Sequence, residues 1–524
     1  MIKTNFILKT LLSTCLLFLS CTAFSLAQDY QYAINLNQIQ DDKVKVSLIA
    51  PASRNKEVIF SFPKIIPGTY AISDYGTFIS EVTALDKKGR KLPVERINDN
   101  QWKISKGKRL HMISYVVEDI FDTEKTHDIY PMAATNIEEG KNVVINAPGF
   151  FGYIEQQTKM PVQLTIEKPS NFYASTSSIP RAEATEKDVF KMKDIDELYD
   201  TPIMYGIADT ASLKVGNCEV LVSVYSPNKM VQAKQIISWL SDLLYAAKGY
   251  LGGKLPANRY AFLYYFKDSN LKHSFQPGLA GALEHTTSSF YYLPELPVDR
   301  LKAFVVDVSS HEFFHIITPL TIASKEVKEF NYDKAVLSKH LWLYEGSTEY
   351  TAHHVQVKYG LNSAEEFLDK LSKKIVDSRT HYNDTLSFTE LSKQAASTYA
   401  DQYGNVYQKG ALIAACLDIY LLHLSDGGYG FKNLTHDLGI RFGKDHYFDD
   451  EALFDEIEKL SYPEIKQFLI KYVQGTAPIP YEYYFGLAGI RYQPNETSRL
   501  IIDDHADRKA SFIRSIWLSQ APRP

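Results

Sequence analysis

The run Ser309-Ser310-His311-Glu312-Phe313-Phe314-His315 constrains this chain more than any other. On a helix, His311 and His315 stand one turn apart on the same face, where two imidazoles can converge on one metal ion. Glu312 lies beside the first histidine and off that face, free to act as a base toward a water held by the metal. The lead-in Leu301-Lys302-Ala303-Phe304-Val305-Val306-Asp307-Val308 is mostly apolar, which predicts a helix buried in a core. Taken alone, these residues permit a second reading, in which two histidines and a glutamate merely satisfy one another within a helix. A third ligand on another element separates the two.

Pro319 ends this helix and the polar stretch Ser324 to Lys339 returns the chain, so a second helix closing near Gly360 can pack against the first. The segment Leu341-Trp342-Leu343-Tyr344-Glu345-Gly346 offers Glu345 as the third ligand. Two histidines and one glutamate leave the fourth position of a tetrahedral site open to water, the catalytic rather than the structural arrangement of zinc. One Zn2+ per chain is therefore expected. Glu349, one turn beyond Glu345, can orient a ligand imidazole from behind, or be a solvated carboxylate in an ordinary i,i+4 position. His273, His340, His353 and His354 lack a comparable pairing and are expected on a helix surface or satisfied in a core. Trp342 to Tyr344 is expected to be helix packing, and Cys416, within Ala414-Ala415-Cys416-Leu417, buried and inert.

The amino terminus predicts export. Residues 1–27 combine a basic start (Lys3, Lys9), the apolar run Leu11 to Phe24, too short to span a bilayer, and Ser25-Leu26-Ala27, a small-x-small cleavage signal. Cys21 as a lipid anchor is the alternative, although Phe18-Leu19 fits a lipobox poorly. Either route leads to the periplasm, the cell envelope or secretion. No later segment is apolar for long enough to span a membrane. Beyond the leader only Cys218 and Cys416 remain, too few for a disulfide framework. A net charge of −5 gives no sign of nucleic-acid binding.

With 524 residues the chain has room for two or three domains. Residues 28–210 predict a β-rich, sandwich-like domain: Lys43-Val44-Lys45-Val46-Ser47-Leu48 alternates strictly, and Val58 to Phe62, Val143 to Ile145 and Val162 to Ile166 continue the pattern. Residues 211–478 predict a mixed α/β unit. Val231 to Leu251 carries a helical stripe, Tyr260 to Phe266 is a short apolar strand, and Gly278 to His285 is a turn-rich stretch before the aromatic strand Ser289 to Tyr292. The unit is helical toward its end, and residues 479–524 form a tail.

His311-Glu312-Phe313-Phe314-His315 with Leu341-Trp342-Leu343-Tyr344-Glu345-Gly346 resembles the glycyl aminopeptidase family of gluzincin zinc metallopeptidases. Three further stretches carry the resemblance over most of the chain: Gly281-Ala282-Leu283-Glu284-His285 where an exopeptidase motif precedes the zinc helix, Tyr407-Gln408-Lys409-Gly410 where a catalytic tyrosine follows it, and Pro67-Gly68-Thr69-Tyr70, similar to a proline-glycine-serine-tyrosine turn of the amino-terminal domain. Two departures stand out. Ile316-Ile317-Thr318-Pro319-Leu320 replaces a polar, tryptophan-containing, basic stretch, and the tail is too short for the whole PDZ domain many members carry, so it is a remnant or packs on the catalytic unit.

The resemblance implies a thermolysin-like catalytic domain and a peptidase acting on peptide substrates. In it, Glu312 takes and returns a proton, Tyr407 stabilises the oxyanion, and Glu284 pairs with a free α-ammonium at the strand edge, with a small first residue such as glycine or alanine preferred. His285 then shapes the substrate site without ligating metal. An endopeptidase with the same chemistry and a non-catalytic peptide-binding protein are the alternatives.

Overall fold

Strict alternation along Lys43–Ile49 buries Val44, Val46 and Leu48 and exposes Lys43 and Lys45, the pattern of a strand with one solvated face. In this computed structural model, which describes residues 29–518 except 277, 444 and 495–497, that strand lies inside an eight-stranded sheet. The expected leader and Cys21 lie outside the described residues. Tyr30–Asn35 pairs in parallel with Val162–Glu167 and antiparallel with Lys43–Ile49, so the sheet joins segments far apart in sequence. A four-stranded sheet containing Glu57–Ser61 and Gln101–Ser105 covers it. Phe60 of that layer lies 5.6 Å, ring to ring, from Tyr115 of the larger sheet, and a further four-stranded sheet carries the fully buried strand Asn142–Ile145.

The next sheet runs, in spatial order, Thr210–Val215, Cys218–Tyr225, Arg259–Lys267, Ser288–Pro294 and Gly281–His285. Its three inner strands are parallel, with the helix Ala233–Tyr250 as the crossover between the first two. Leu221, Leu263, Tyr265 and Tyr292 pack into the amino-terminal core, whereas Val222, Phe262, Tyr264 and Tyr291 pack under the helices. A strand covered on both faces requires apolar residues at nearly every position, hence the unbroken Tyr260-Ala261-Phe262-Leu263-Tyr264-Tyr265-Phe266. Gly281–His285, expected within a turn-rich stretch, is instead the antiparallel edge strand of this sheet.

The chain is thus multidomain, with a β-rich amino-terminal part and a helical carboxy-terminal part. The helix that holds His311 and ends just before His315 spans Val298–Phe314. Its first turns are not buried as the apolar lead-in suggested: Lys302, Ala303 and Phe304 face solvent, Phe304 with 46% exposure. Consecutive apolar residues point around a helix rather than to one side, so of that run Leu301 and Val305 are fully buried while Val306 and Val308 only partly pack against the core. Helices Ser347–Lys358, Ala364–His381 and Asn405–Leu424 build the helical core.

The tail packs on this core. After the hairpin Ile490–Gln493 with Arg499–Ile502, the helix Arg508–Leu518 buries Trp517, whose Nε1 donates to the Tyr350 hydroxyl at 2.8 Å. The Trp517 carbonyl accepts from His354 Nε2 at 2.8 Å, which makes His354 a satisfied core histidine. Cys218 and Cys416 are buried, unpaired and in different cores, and burial pushes both thiols upward. Among the described residues no helix is long and apolar enough to cross a membrane.

Candidate active site

His311 closes the last turn of the Val298–Phe314 helix and His315 is the first residue beyond it. Ser309 and Ser310 pin this end. The Ser309 hydroxyl meets that of Tyr264 at 2.6 Å, and the Ser310 hydroxyl donates to the Ala352 carbonyl at 2.9 Å. The two Nε2 atoms lie 3.0 Å apart, and Glu345 Oε2 lies 3.4 Å from His311 Nε2 and 3.6 Å from His315 Nε2. Each Nδ1 faces an acceptor, Glu349 Oε2 at 2.8 Å for His311 and the Thr318 carbonyl at 3.0 Å for His315. With the protons on Nδ1, both Nε2 lone pairs and a carboxylate oxygen face one point with no proton among them. Tetrahedral donors about 2.05 Å from one zinc ion would lie about 3.3 Å apart, so the three donors fit that metal.

Glu345 sits in a wide π-type turn, Trp342–Gly346, that runs into the helix Ser347–Lys358. Trp342, Leu343 and Tyr344 are fully buried, so this cluster is packing, as expected. Gly346 touches the backbone of Gly410 on the Asn405–Leu424 helix; a Cβ on Gly346 would lie 2.5 Å from the Gly410 Cα. The two glycines let these helices cross in direct contact and bring Glu345 and Tyr407 to the same side. The Tyr407 ring lies 5.6 Å from the His311 ring, and its hydroxyl meets that of Tyr403 at 2.7 Å. Burial, then the Glu345 charge, pushes the Tyr407 hydroxyl well above its ordinary range, so it stays a donor.

The edge strand delivers Glu284. Carboxylate oxygens of Glu284 and Glu312 and a ring nitrogen of His315 lie within 4.8 Å of one another. Burial pushes Glu284 upward, with Glu345 adding to it and His315 opposing. Burial also raises Glu312, opposed by His311 and reinforced by Glu284. Glu345 remains below the ordinary range because His315 and His311 outweigh its burial. Three crowded carboxylates favour a cation. Glu284 and His285 line a cleft of about 750 Å³, together with Pro67, Tyr199, Leu320 and Tyr332. His285 leans on Asp200, Nδ1 to Oδ1 3.4 Å, and stands apart from the three-donor cluster.

Two features go beyond the roles assigned from sequence: the Gly68–Tyr70 turn as a wall of the site, and the partners that anchor Glu349. Gly68, with φ +80°, is pressed against the strand, where a Cβ would lie 2.8 Å from Glu284 Oε2. The turn it makes carries Tyr70, itself at φ 48°, to the Glu345 carboxylate and within 5.5 Å, ring to ring, of Tyr403. The amino-terminal domain therefore supplies a wall of the site. The other feature is the network behind His311. Glu349 Oε1 accepts from Lys374 Nζ at 2.6 Å and contacts His353 Nε2 at 3.1 Å. Burial opposes the Glu349 charge, but Lys374 and His353 hold the carboxyl well below its ordinary range. Thus Glu349 backs His311 rather than facing solvent, and His353, expected to have no such pairing, belongs to its network.

Residues 31–207 match the Peptidase M61 N-terminal domain, and residues 305–413 match the M61 glycyl aminopeptidase. No curated protein matches the chain. Among solved structures, an aminopeptidase N family protein from Idiomarina loihiensis shares the fold with a TM-score of 0.77 at 20% identity, over 88% of this chain and 79% of that one. An M1 zinc metallopeptidase from Deinococcus radiodurans gives a TM-score of 0.51 at 13% identity, over 87% of this chain and 95% of that one. A variant of that enzyme bound to a Tyr-Ser-Ala substrate gives 0.50 at 13% identity, with the same coverage. The two family matches take in most of the β-rich domain and the helices that carry His311, His315, Glu345 and Tyr407, so this chain belongs to the M61 glycyl aminopeptidase family and is a metallopeptidase.

Proposed function

We propose that this protein is an exported zinc aminopeptidase that removes a small first residue, glycine or alanine, from peptides. The observation that carries the reading is the convergence of His311 Nε2, His315 Nε2 and Glu345 Oε2 beside two further carboxylates, Glu312 and Glu284, the second of which lines a cleft. His311, His315 and Glu345 would hold one zinc ion. Bound there, zinc would supply Lewis acidity toward a water molecule and the scissile carbonyl.

Glu312, buried and raised in pKa, is suited to accept a proton from that water and return it to the departing amine. The Tyr407 hydroxyl donates to the carbonyl oxygen as negative charge develops there. Glu284 pairs with the substrate α-ammonium and sets the scissile carbonyl one residue away. Glu349 keeps the His311 proton on Nδ1. The basic, apolar and small-x-small segments of residues 1–27 support the exported setting.

The test is a paired assay of one alanine-initiated peptide with a free and with an acetylated amino terminus, the products identified by mass. The reading expects loss of the first residue from the free peptide and little cleavage of the acetylated one. Equal cleavage of both, or cuts at internal bonds, would replace it with an endopeptidase.

A further inference from the structure

We propose that Lys374 is a positioning residue of this site, fixing the imidazole of His311 and the backbone of Tyr407 relative to each other; the proposal rests on the zinc aminopeptidase reading. Lys374 belongs to the helix Ala364–His381, carries none of the expected ligands or catalytic groups, and is 8% exposed. Its ammonium has two partners on two different elements. One is Glu349 Oε1 at 2.6 Å, on the Ser347–Lys358 helix. The other is the Tyr407 carbonyl at 3.1 Å, on the Asn405–Leu424 helix.

The second oxygen of Glu349 lies 2.8 Å from His311 Nδ1. A continuous chain of contacts therefore runs from the imidazole through a carboxylate and an ammonium to the peptide group of Tyr407. Lys370, the neighbouring lysine one turn earlier, does not duplicate it. Its ammonium lies 2.7 Å from Asp307 Oδ2 and 3.3 Å from His353 Nδ1. Asp307 is half-buried at the helix surface, so that pair is the outer end of the network.

Two consequences follow from the chemistry. A carboxylate that accepts from an ammonium through one oxygen stays charged and fixed, so its other oxygen holds the Nδ1 proton of His311 and keeps Nε2 free as a donor to metal. A carbonyl held by the same ammonium fixes the first turn of the helix from which the Tyr407 phenol projects. A small displacement of that phenol matters for catalysis because the hydroxyl must meet the oxyanion rather than the ground-state carbonyl. A lysine serving packing alone would need neither partner in this arrangement, since a buried ion pair seldom stabilises a fold more than apolar residues of the same volume.

The experiment compares the full mature chain with Lys374→Met and Lys374→Gln. Zinc affinity is read by competition between the metal-free protein and a chromogenic chelator, and kcat and KM are read at saturating zinc on an alanine amide with a free amino group. Asp307→Asn is the control at the outer end of the network. For Lys374→Met the proposal expects zinc affinity weaker by about 10- to 100-fold and kcat lower by at least about tenfold, with KM within about twofold. Asp307→Asn should leave both readings within about twofold. Should Lys374→Met fail to fold, Lys374→Gln, which keeps an N–H donor but no charge, is judged by the same two readings. A folded variant with a lower melting temperature but unchanged zinc affinity and kcat overturns the proposal and leaves Lys374 a packing residue. If the parent binds no zinc or leaves the amide intact, the aminopeptidase reading itself fails and takes the Lys374 assignment with it.

Discussion

Gly346 and Gly410 meet backbone to backbone, one residue after Glu345 and three after Tyr407. The crossing depends on the absence of both side chains, because a Cβ on Gly346 would lie 2.5 Å from the Gly410 Cα and carbonyl carbon. Gly346→Ala should force the two helices apart. The expected cost is about 1–3 kcal/mol of stability from overpacking, and turnover should fall because Glu345 and Tyr407 separate. Denaturant unfolding and steady-state kinetics check this; wild-type values in both would mean that the crossing relaxes without consequence.

Glu312 is the proposed proton carrier, and the amide of Glu312→Gln keeps its size while removing its basicity. The variant should retain zinc and lose about 10²- to 10⁴-fold in kcat, the usual range for general acid–base catalysis. Turnover within twofold of the parent would remove Glu312 from the mechanism.

The paired hydroxyls of Tyr403 and Tyr407, 2.7 Å apart, lead to an ordered expectation. Tyr407→Phe should lower kcat by about 10²- to 10³-fold, as loss of an oxyanion donor does, with zinc content unchanged. Tyr403→Phe should cost less, since it removes only the partner that orients the Tyr407 hydroxyl. The reverse order in parallel kinetics would make Tyr403 the donor.

How much of this site is written in the local sequence depends on how far apart its parts lie. The spacing of His311 and His315 is set by one helical turn and is legible without any tertiary information. Glu345 is legible because its helix begins soon after the first one ends. By contrast, Tyr70 reaches the site only through a glycine turn pressed on Glu284, and Lys374 only through the crossing of three helices, contacts that no local periodicity encodes. The same limit applies to the fold. Alternation in Lys43–Ile49 reveals a strand, but nothing local reveals the parallel pairing of Tyr30–Asn35 with Val162–Glu167. The apolar lead-in to His311 does not form one buried face, because its consecutive apolar residues spread around the helix and Phe304 points outward.

His340 makes stability depend on pH away from the candidate metal site. Its Nε2–H donates to the Asp450 carbonyl at 2.8 Å, its Nδ1 accepts from Trp342 Nε1 at 3.2 Å, and burial pushes it down from 6.5 to about 4. Between those values the unfolded chain binds a proton that the folded chain refuses. The neutral histidine therefore contributes fully above about pH 6.5, and stability falls as the pH drops toward about 4, by about 3 kcal/mol in all. Unfolding curves across that interval should show this slope in the parent and a shallower one in His340→Gln. Equal slopes would locate the acid sensitivity elsewhere.

The proposed function stands or falls on a single zinc ion held by His311, His315 and Glu345. Metal analysis of the mature protein, stripped, reconstituted with zinc and desalted, addresses it without reference to any substrate. One zinc per chain is expected in the parent, with that zinc lost in both His315→Ala and Glu345→Ala. A parent that retains almost no zinc, or a His315→Ala variant that retains all of it, would rule out this metal site.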